Sequence, residues 1–207
     1  MTHPTASPAT GEIIHRLPHA PIHLFQHNNA PGAYANKMGC GAFTTAMALS
    51  CYDPARFGNY AAARSIFETM LKVPFFGGTF ESQNASIGRR FKFATGNYDN
   101  GTHADLATAI DCGAPAILLI NPNFLGIGQH DVLLVGYSVD AQGRSIHFFV
   151  DNPAVESATQ TSPPGLNYPG NEAYSVATLS TKWTRCFTPF FPSPDAYLKW
   201  RILTNRL

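Results

Sequence analysis

The sequence predicts an α+β domain, and three observations carry the prediction. The composition is loop-rich and aromatic, with 15 Phe, 16 Pro and 17 Gly in 207 residues, which disfavours a helical bundle. Good helix formers with apolar residues at i, i+3, i+4 spacing follow position 40: Ala42, Phe43, Ala46, Met47, Ala48 and Leu49. Two apolar runs in the second half, 132–135 and 146–150, have strand length, and the second ends at Pro153, where an interior strand cannot continue. A chain of this length fits one domain and can bury a substantial core.

Taken in order, residues 1–22 are rich in Pro, Thr, Ser and His and are expected to form a flexible N-terminal leader, with the domain proper spanning 23–207. The helix that starts at Cys40 should stop near Tyr52. Asp53 then caps a second helix with Pro54 in its first turn, running to about Lys72. Phe75, Phe76, Gly77 and Gly78 make a turn, and the polar stretch 79–101 receives no regular element. A short helix over 103–111 leads through Gly113 into a strand over 115–120. His130 opens the next strand, which reaches Gly136 and Tyr137. A long irregular segment follows Pro153, with a helical turn over 178–183 and a final strand over 196–203.

The chemistry sits in two of these segments. Cys40 lies between Gly39 and Gly41 at a helix start, where the positive end of the helix dipole favours a thiolate and the glycines let a substrate approach. His130 opens a buried strand, and Asp151 and Asn152 end its neighbour. Cysteine, histidine and a carboxylate or amide, in that order, suit a spatial triad. In such a triad the imidazole deprotonates the thiol and the third residue fixes the imidazole tautomer.

On these residues the chain resembles the papain-like cysteine peptidases, in particular the bacterial branch of double-glycine leader peptidases and their stand-alone relatives. The matching residues are Gly39-Cys40-Gly41 with Thr45, Ala46 and Met47 behind them, then His130 with the run into Val135-Gly136-Tyr137, then Asp151-Asn152-Pro153. The match covers roughly residues 24–155. The resemblance implies a papain-like fold, a central helix bearing the nucleophile on an antiparallel sheet. It also implies hydrolysis of peptide bonds through a thioester, with a protein or peptide as substrate and no cofactor. A side-chain amide upstream of the cysteine would help hold the oxyanion; Gln26 and Asn36 are the candidates, and Gln26 is favoured. The family's aspartate before proline aligns with Asn152, while Asp151 has the matching chemistry. Adjacent strand residues face opposite ways, so only one can serve His130. Asp151 is favoured because a charge stabilises imidazolium better than an amide, although papain-like enzymes also use asparagine.

Other classes are disfavoured. Charged residues make up 13% of the chain and the formal net charge is +1, so no electrostatic footprint for nucleic acid or an anionic membrane is present. No apolar run approaches the ~20 residues of a membrane helix. The N-terminus has no cationic start followed by an apolar stretch, so the expected location is cytoplasmic, or a target cell reached by a route independent of a signal peptide. The cysteines at 40, 51, 112 and 186 show no zinc-type spacing. His15, His19, His23 and His27 recur every four residues like a metal-binding helix face, but Pro18 and Pro21 among them forbid a continuous helix, so no metal site is expected. Gly136-Tyr137-Ser138 is followed by Asp140 rather than the glycine of a serine-hydrolase elbow.

Two alternatives stay open. The same triad on the same fold can deamidate glutamine or transfer acyl groups, and a non-catalytic binding module could keep the fold alone. A stand-alone domain of this kind also suits a delivered effector or toxin, for which an immunity or inhibitor protein covering the cleft is the expected partner.

Overall fold

The structure, a computed structural model, describes residues 5–6, 12–26, 39–70, 82–121, 129–155 and 171–206. Its elements in chain order are β1 (Thr5–Ala6), β2 (Ile13–Arg16), α1 (Cys40–Ser50), α2 (Pro54–Phe57), α3 (Tyr60–Thr69), α4 (Ser82–Arg90), β3 (Ala94–Thr95) and α5 (His103–Asp111). There follow β4 (Ala116–Ile120), β5 (His130–Val139), β6 (Ser145–Asp151), β7 (Asn171–Ser175), α6 (Val176–Lys182), β8 (Trp183–Phe191) and α7 (Pro194–Leu203). The α+β class and the antiparallel sheet stand as the sequence predicts.

β5 is the spine of the sheet. Leu133 pairs with Ile117 of β4 and with Asp151 of β6, so those strands lie on opposite edges. Gly136 pairs with Arg16 of β2 and Phe149 of β6. β4 and β2 therefore share one edge of β5 end to end, and β6 takes the other. The sheet extends from β4 to β8 and β3, from β2 to β1, and from β6 to β7, with all pairs antiparallel. β5 is buried from Asp131 to Val139, as a strand covered on both faces must be.

α1 packs on β5 and β4, with α2, α3 and α4 around it. Every residue from Gly41 to Ser50 is buried, so this is a core helix with no solvent face. Full burial of Phe43, Met47 and Leu49 contributes roughly 1.5–3 kcal/mol each. α5 packs on β5, β2 and β4, its start fixed by a capping box between Thr102 and Asp105.

Several sequence expectations need correction. The flexible leader does not hold for residues 12–22: β2 pairs with β5, Ile14 and Leu17 are buried, and the Ile22 N–H donates to Ser50 Oγ at 2.9 Å. Ile14 and Leu17 are buried by pairing with the sheet edge, an interaction that composition does not register. The histidine stripe is correspondingly not helical. His15 bonds Asp111 and Tyr137, while His19 sits in a bend before Pro21 and His23 follows it outside any regular element; His27 lies outside the described residues.

The helix expected over 54–72 is two helices, because Asn59 caps a fresh start by accepting from Ala62 N. α4 arises in the polar stretch given no element, and β8 was also not foreseen. The final strand is instead α7, started by Ser193 with Pro194 in the first turn. Trp200 is buried there while Leu198, Ile202 and Leu203 are exposed, and these outward apolar side chains imitate strand alternation. The turn expected at 75–78 and most of the irregular segment after Pro153 lie outside the described residues.

One close approach fixes the register of β2 on β5. A Cβ at Gly136 would stand 2.7 Å from the His15 carbonyl oxygen and 3.3 Å from the Phe149 ring. Because backbone must move to admit it, Gly136→Ala is expected to cost about 1–3 kcal/mol in urea unfolding. An unchanged midpoint would mean that β2 is not held there.

Candidate active site

The site begins at the N-terminus of α1. Gly39 precedes the helix with no side-chain cap, so the first helical N–H groups have no capping side chain. Thr44, one turn in, ties this end to the sheet. Its Oγ1 lies 2.6 Å from the Cys40 carbonyl oxygen and 3.1 Å from that of Asp131, so its one proton is shared between helix and strand. The start of α1 is thereby held against the first residues of β5, the strand that His130 opens. Asp131 is close enough for its charge and its backbone to act on the Cys40 thiol.

His130 Nε2 lies 2.8 Å from Asn152 Oδ1. An amide oxygen only accepts, so Nε2 carries the proton and Nδ1 is left with the ring's lone pair. This corrects the expectation for Asp151. β6 ends with its last side chains alternating, and Asp151 turns away from His130 into the core, where its Oδ1 lies 2.6 Å from His23 Nδ1. Asp151 is fully buried and Cys51 is near enough to feel its charge. Burial raises the Asp151 pKa, opposed by the hydrogen bond and charge of His23. The carboxylate favoured from sequence is thus a core anchor for the N-terminal strap, and the amide is the partner of His130.

Gln26 is buried, and its backbone N–H donates to Pro153 O at 2.8 Å, which sets it one residue from Asn152. The strap reaches this point by way of Ile22, His23 and Leu24, whose N–H donates to Met47 Sδ at 3.3 Å. Asn36 lies outside the described residues.

A polar network backs the thiol. Thr45 Oγ1 donates to Asn84 Oδ1 at 3.2 Å, and Asn84 Nδ2 reaches Asp131 Oδ2 at 3.5 Å, all three buried. A small recess of about 10 Å³ borders this network, where Asn84, Asp131 and Thr188 meet the apolar side chains of Ile117, Leu119 and Phe187. The electrostatics differ from the expected activated thiolate. Cys40 keeps some exposed surface, yet burial of its sulfur pushes the thiol up to about 12, and the Asp131 charge adds to the effect. Backbone hydrogen bonds at Asp131, Gly41 and Cys40 itself pull the other way without reversing it. The helix-start field is real but outweighed by desolvation and one neighbouring carboxylate.

The sequence reading did not single out Thr44, Asn84, Asp131 or Glu172. Asp131 was visible beside His130, but its proximity to the helix-start cysteine exists only in the fold. Asn84 and Glu172 belong to segments where no periodicity pointed to an element. No protein-family model matches the chain, and no curated protein matches it. No helix among the described residues is long and apolar enough to cross a membrane.

A thiol raised this far is protonated throughout the neutral range. Its alkylation by iodoacetamide should therefore rise about tenfold per pH unit from 7 to 10 without a plateau. Asp131→Asn removes a negative charge, lowers the thiol's pKa and should speed alkylation at pH 8 by roughly threefold to tenfold. Mass-spectrometric mapping of Cys40 checks both, and a plateau below pH 8 in the wild type would contradict them.

Proposed function

We propose that the chain is a papain-like cysteine peptidase in which Cys40 is the nucleophile, His130 the base and Asn152 the residue that orients it. The observation that carries this reading is the Thr44 hydroxyl that ties Cys40 to the start of the strand His130 opens, with the His130 Nε2 proton committed to the Asn152 amide oxygen. Such an arrangement points the basic ring nitrogen, Nδ1, away from Asn152 and makes it the proton acceptor.

Because the resting thiol is neutral, deprotonation and attack belong to one step. His130 Nδ1 takes the Cys40 proton as sulfur bonds to the peptide carbonyl carbon, and the carbonyl electrons move to oxygen. The Cys40 backbone N–H at the helix start and the Gln26 side chain are assigned to this oxyanion. Its collapse breaks the carbon–nitrogen bond, and the leaving amine takes the proton back from Nδ1. Water then gives a proton to Nδ1 and attacks the thioester, releasing the acid and restoring the thiol. Deamidation of glutamine follows the same steps with ammonia as the leaving amine.

One observation favours a second reading, a non-catalytic module: the thiol is held protonated by burial and by Asp131. The two readings separate on a proteome-derived peptide library incubated with the wild type, Cys40→Ala and His130→Ala. The peptidase reading expects new peptide termini with the wild type alone, and a loss of at least about 100-fold in both variants. Glutamine converted to glutamate without new termini would assign a deamidase. Identical products from all three proteins would remove the enzyme reading.

A further inference from the structure

Asn152 can serve His130 only if its amide is the right way round, since oxygen and nitrogen occupy nearly the same space and have opposite hydrogen-bonding roles. Two contacts decide the matter. The Ala154 N–H lies 3.0 Å from Oδ1, and a backbone N–H only donates. On the other side, Asn152 Nδ2 donates to Glu172 Oε2 at 2.7 Å, and the Tyr174 hydroxyl donates to the same oxygen at 3.0 Å. Burial, the Glu172 charge and this hydrogen bond all push the Tyr174 phenol well up, so it stays a donor.

The geometry places these groups without strain. Glu172 pairs with Val150 in the β6–β7 ladder, and Tyr174 is two residues further along the same strand, so the two β7 side chains share a face. Asn152 is two residues beyond Val150 and shares that face too. Glu172 is half-buried and Tyr174 buried, so the carboxylate is partly shielded where it meets the amide. A charge-assisted hydrogen bond of this length is about twice as strong as a neutral one.

We propose that Glu172 is a positioning residue for the site. It holds the Asn152 amide nitrogen, which aims Oδ1 at His130 Nε2 and confines His130 to the tautomer whose Nδ1 is basic. Glu172 touches neither the thiol nor the imidazole and acts only through Asn152. The proposal rests on the reading of His130 as the base, but the tautomer itself is measurable whether or not the chain is an enzyme.

The experiment is a long-range ¹H–¹⁵N spectrum of the full chain labelled in its histidine rings, with His130 assigned by its loss in His130→Ala. In the wild type Nε2 should show the protonated signature and Nδ1 the unprotonated one. Glu172→Gln keeps an oxygen acceptor for both donors and should leave His130 unchanged. Glu172→Leu should give a mixture of tautomers, with cleavage of the peptide library falling roughly tenfold or more. Glu172→Lys presents a donor instead, turns the amide round and should move the proton toward Nδ1. Tyr174→Phe leaves Glu172 in place and should keep the wild-type pattern. An unaltered His130 signature in folded Glu172→Lys would overturn the proposal, since the Ala154 N–H would then suffice. Absence of Cys40-dependent cleavage alongside a shifted tautomer would instead remove the peptidase reading and leave the role of Glu172 standing.

Discussion

The site depends on the Thr44 hydroxyl shared between the Cys40 and Asp131 carbonyls. It joins the start of a helix buried from Gly41 to Ser50 to the start of the longest strand among the described residues, and everything else follows from that junction. With α1 seated there, Cys40 stands at the strand start where Asp131 lies, and His130 is the residue that precedes Asp131 on β5. The other end of α1 is held as firmly. Ser50 accepts from the Ile22 N–H, Met47 accepts from the Leu24 N–H, and the strap so pinned delivers Gln26 to Pro153. A helix buried on all sides cannot slide or rotate without opening cavities, and that rigidity is what a nucleophile needs.

The same burial has an electrostatic consequence. A helix start favours a thiolate by a modest amount, whereas removing sulfur from water and setting Asp131 beside it favours the thiol by more. Under the proposed peptidase reading, a site built this way would work by proton transfer at the moment of attack rather than by a preformed ion pair. The amide, rather than a carboxylate, beside His130 is consistent with that scheme. It fixes the tautomer without adding a second negative charge near a thiol already held neutral, and the negative charge of Glu172 stands one residue further off, behind the amide.

Much of this was legible in the sequence, and the exceptions have physical causes. Cys40 at a helix start and His130 at a strand start were readable because local composition and punctuation determine both. The choice between Asp151 and Asn152 was not, because both are polar at a strand end and only the facing partners decide. His23, the residue that follows the segment composition marked as flexible, takes Asp151 into the core and leaves Asn152 for His130. β2 was missed for the same reason: four residues become a strand because β5 offers an edge. α7 was mistaken for a strand because exposed Leu198, Ile202 and Leu203 blur its helical period, although Ser193-Pro194 carried the correct start signal.

The most direct test of a neutral thiol that His130 activates only during attack is labelling with a peptidyl acyloxymethyl ketone at pH 7, with the four cysteines mapped by mass spectrometry. The account predicts that this substrate-like electrophile modifies Cys40 in the wild type, and that His130→Ala abolishes the modification while the fold survives. Labelling of Cys40 that is equally fast without His130, or no labelling of Cys40 in either protein, would contradict it.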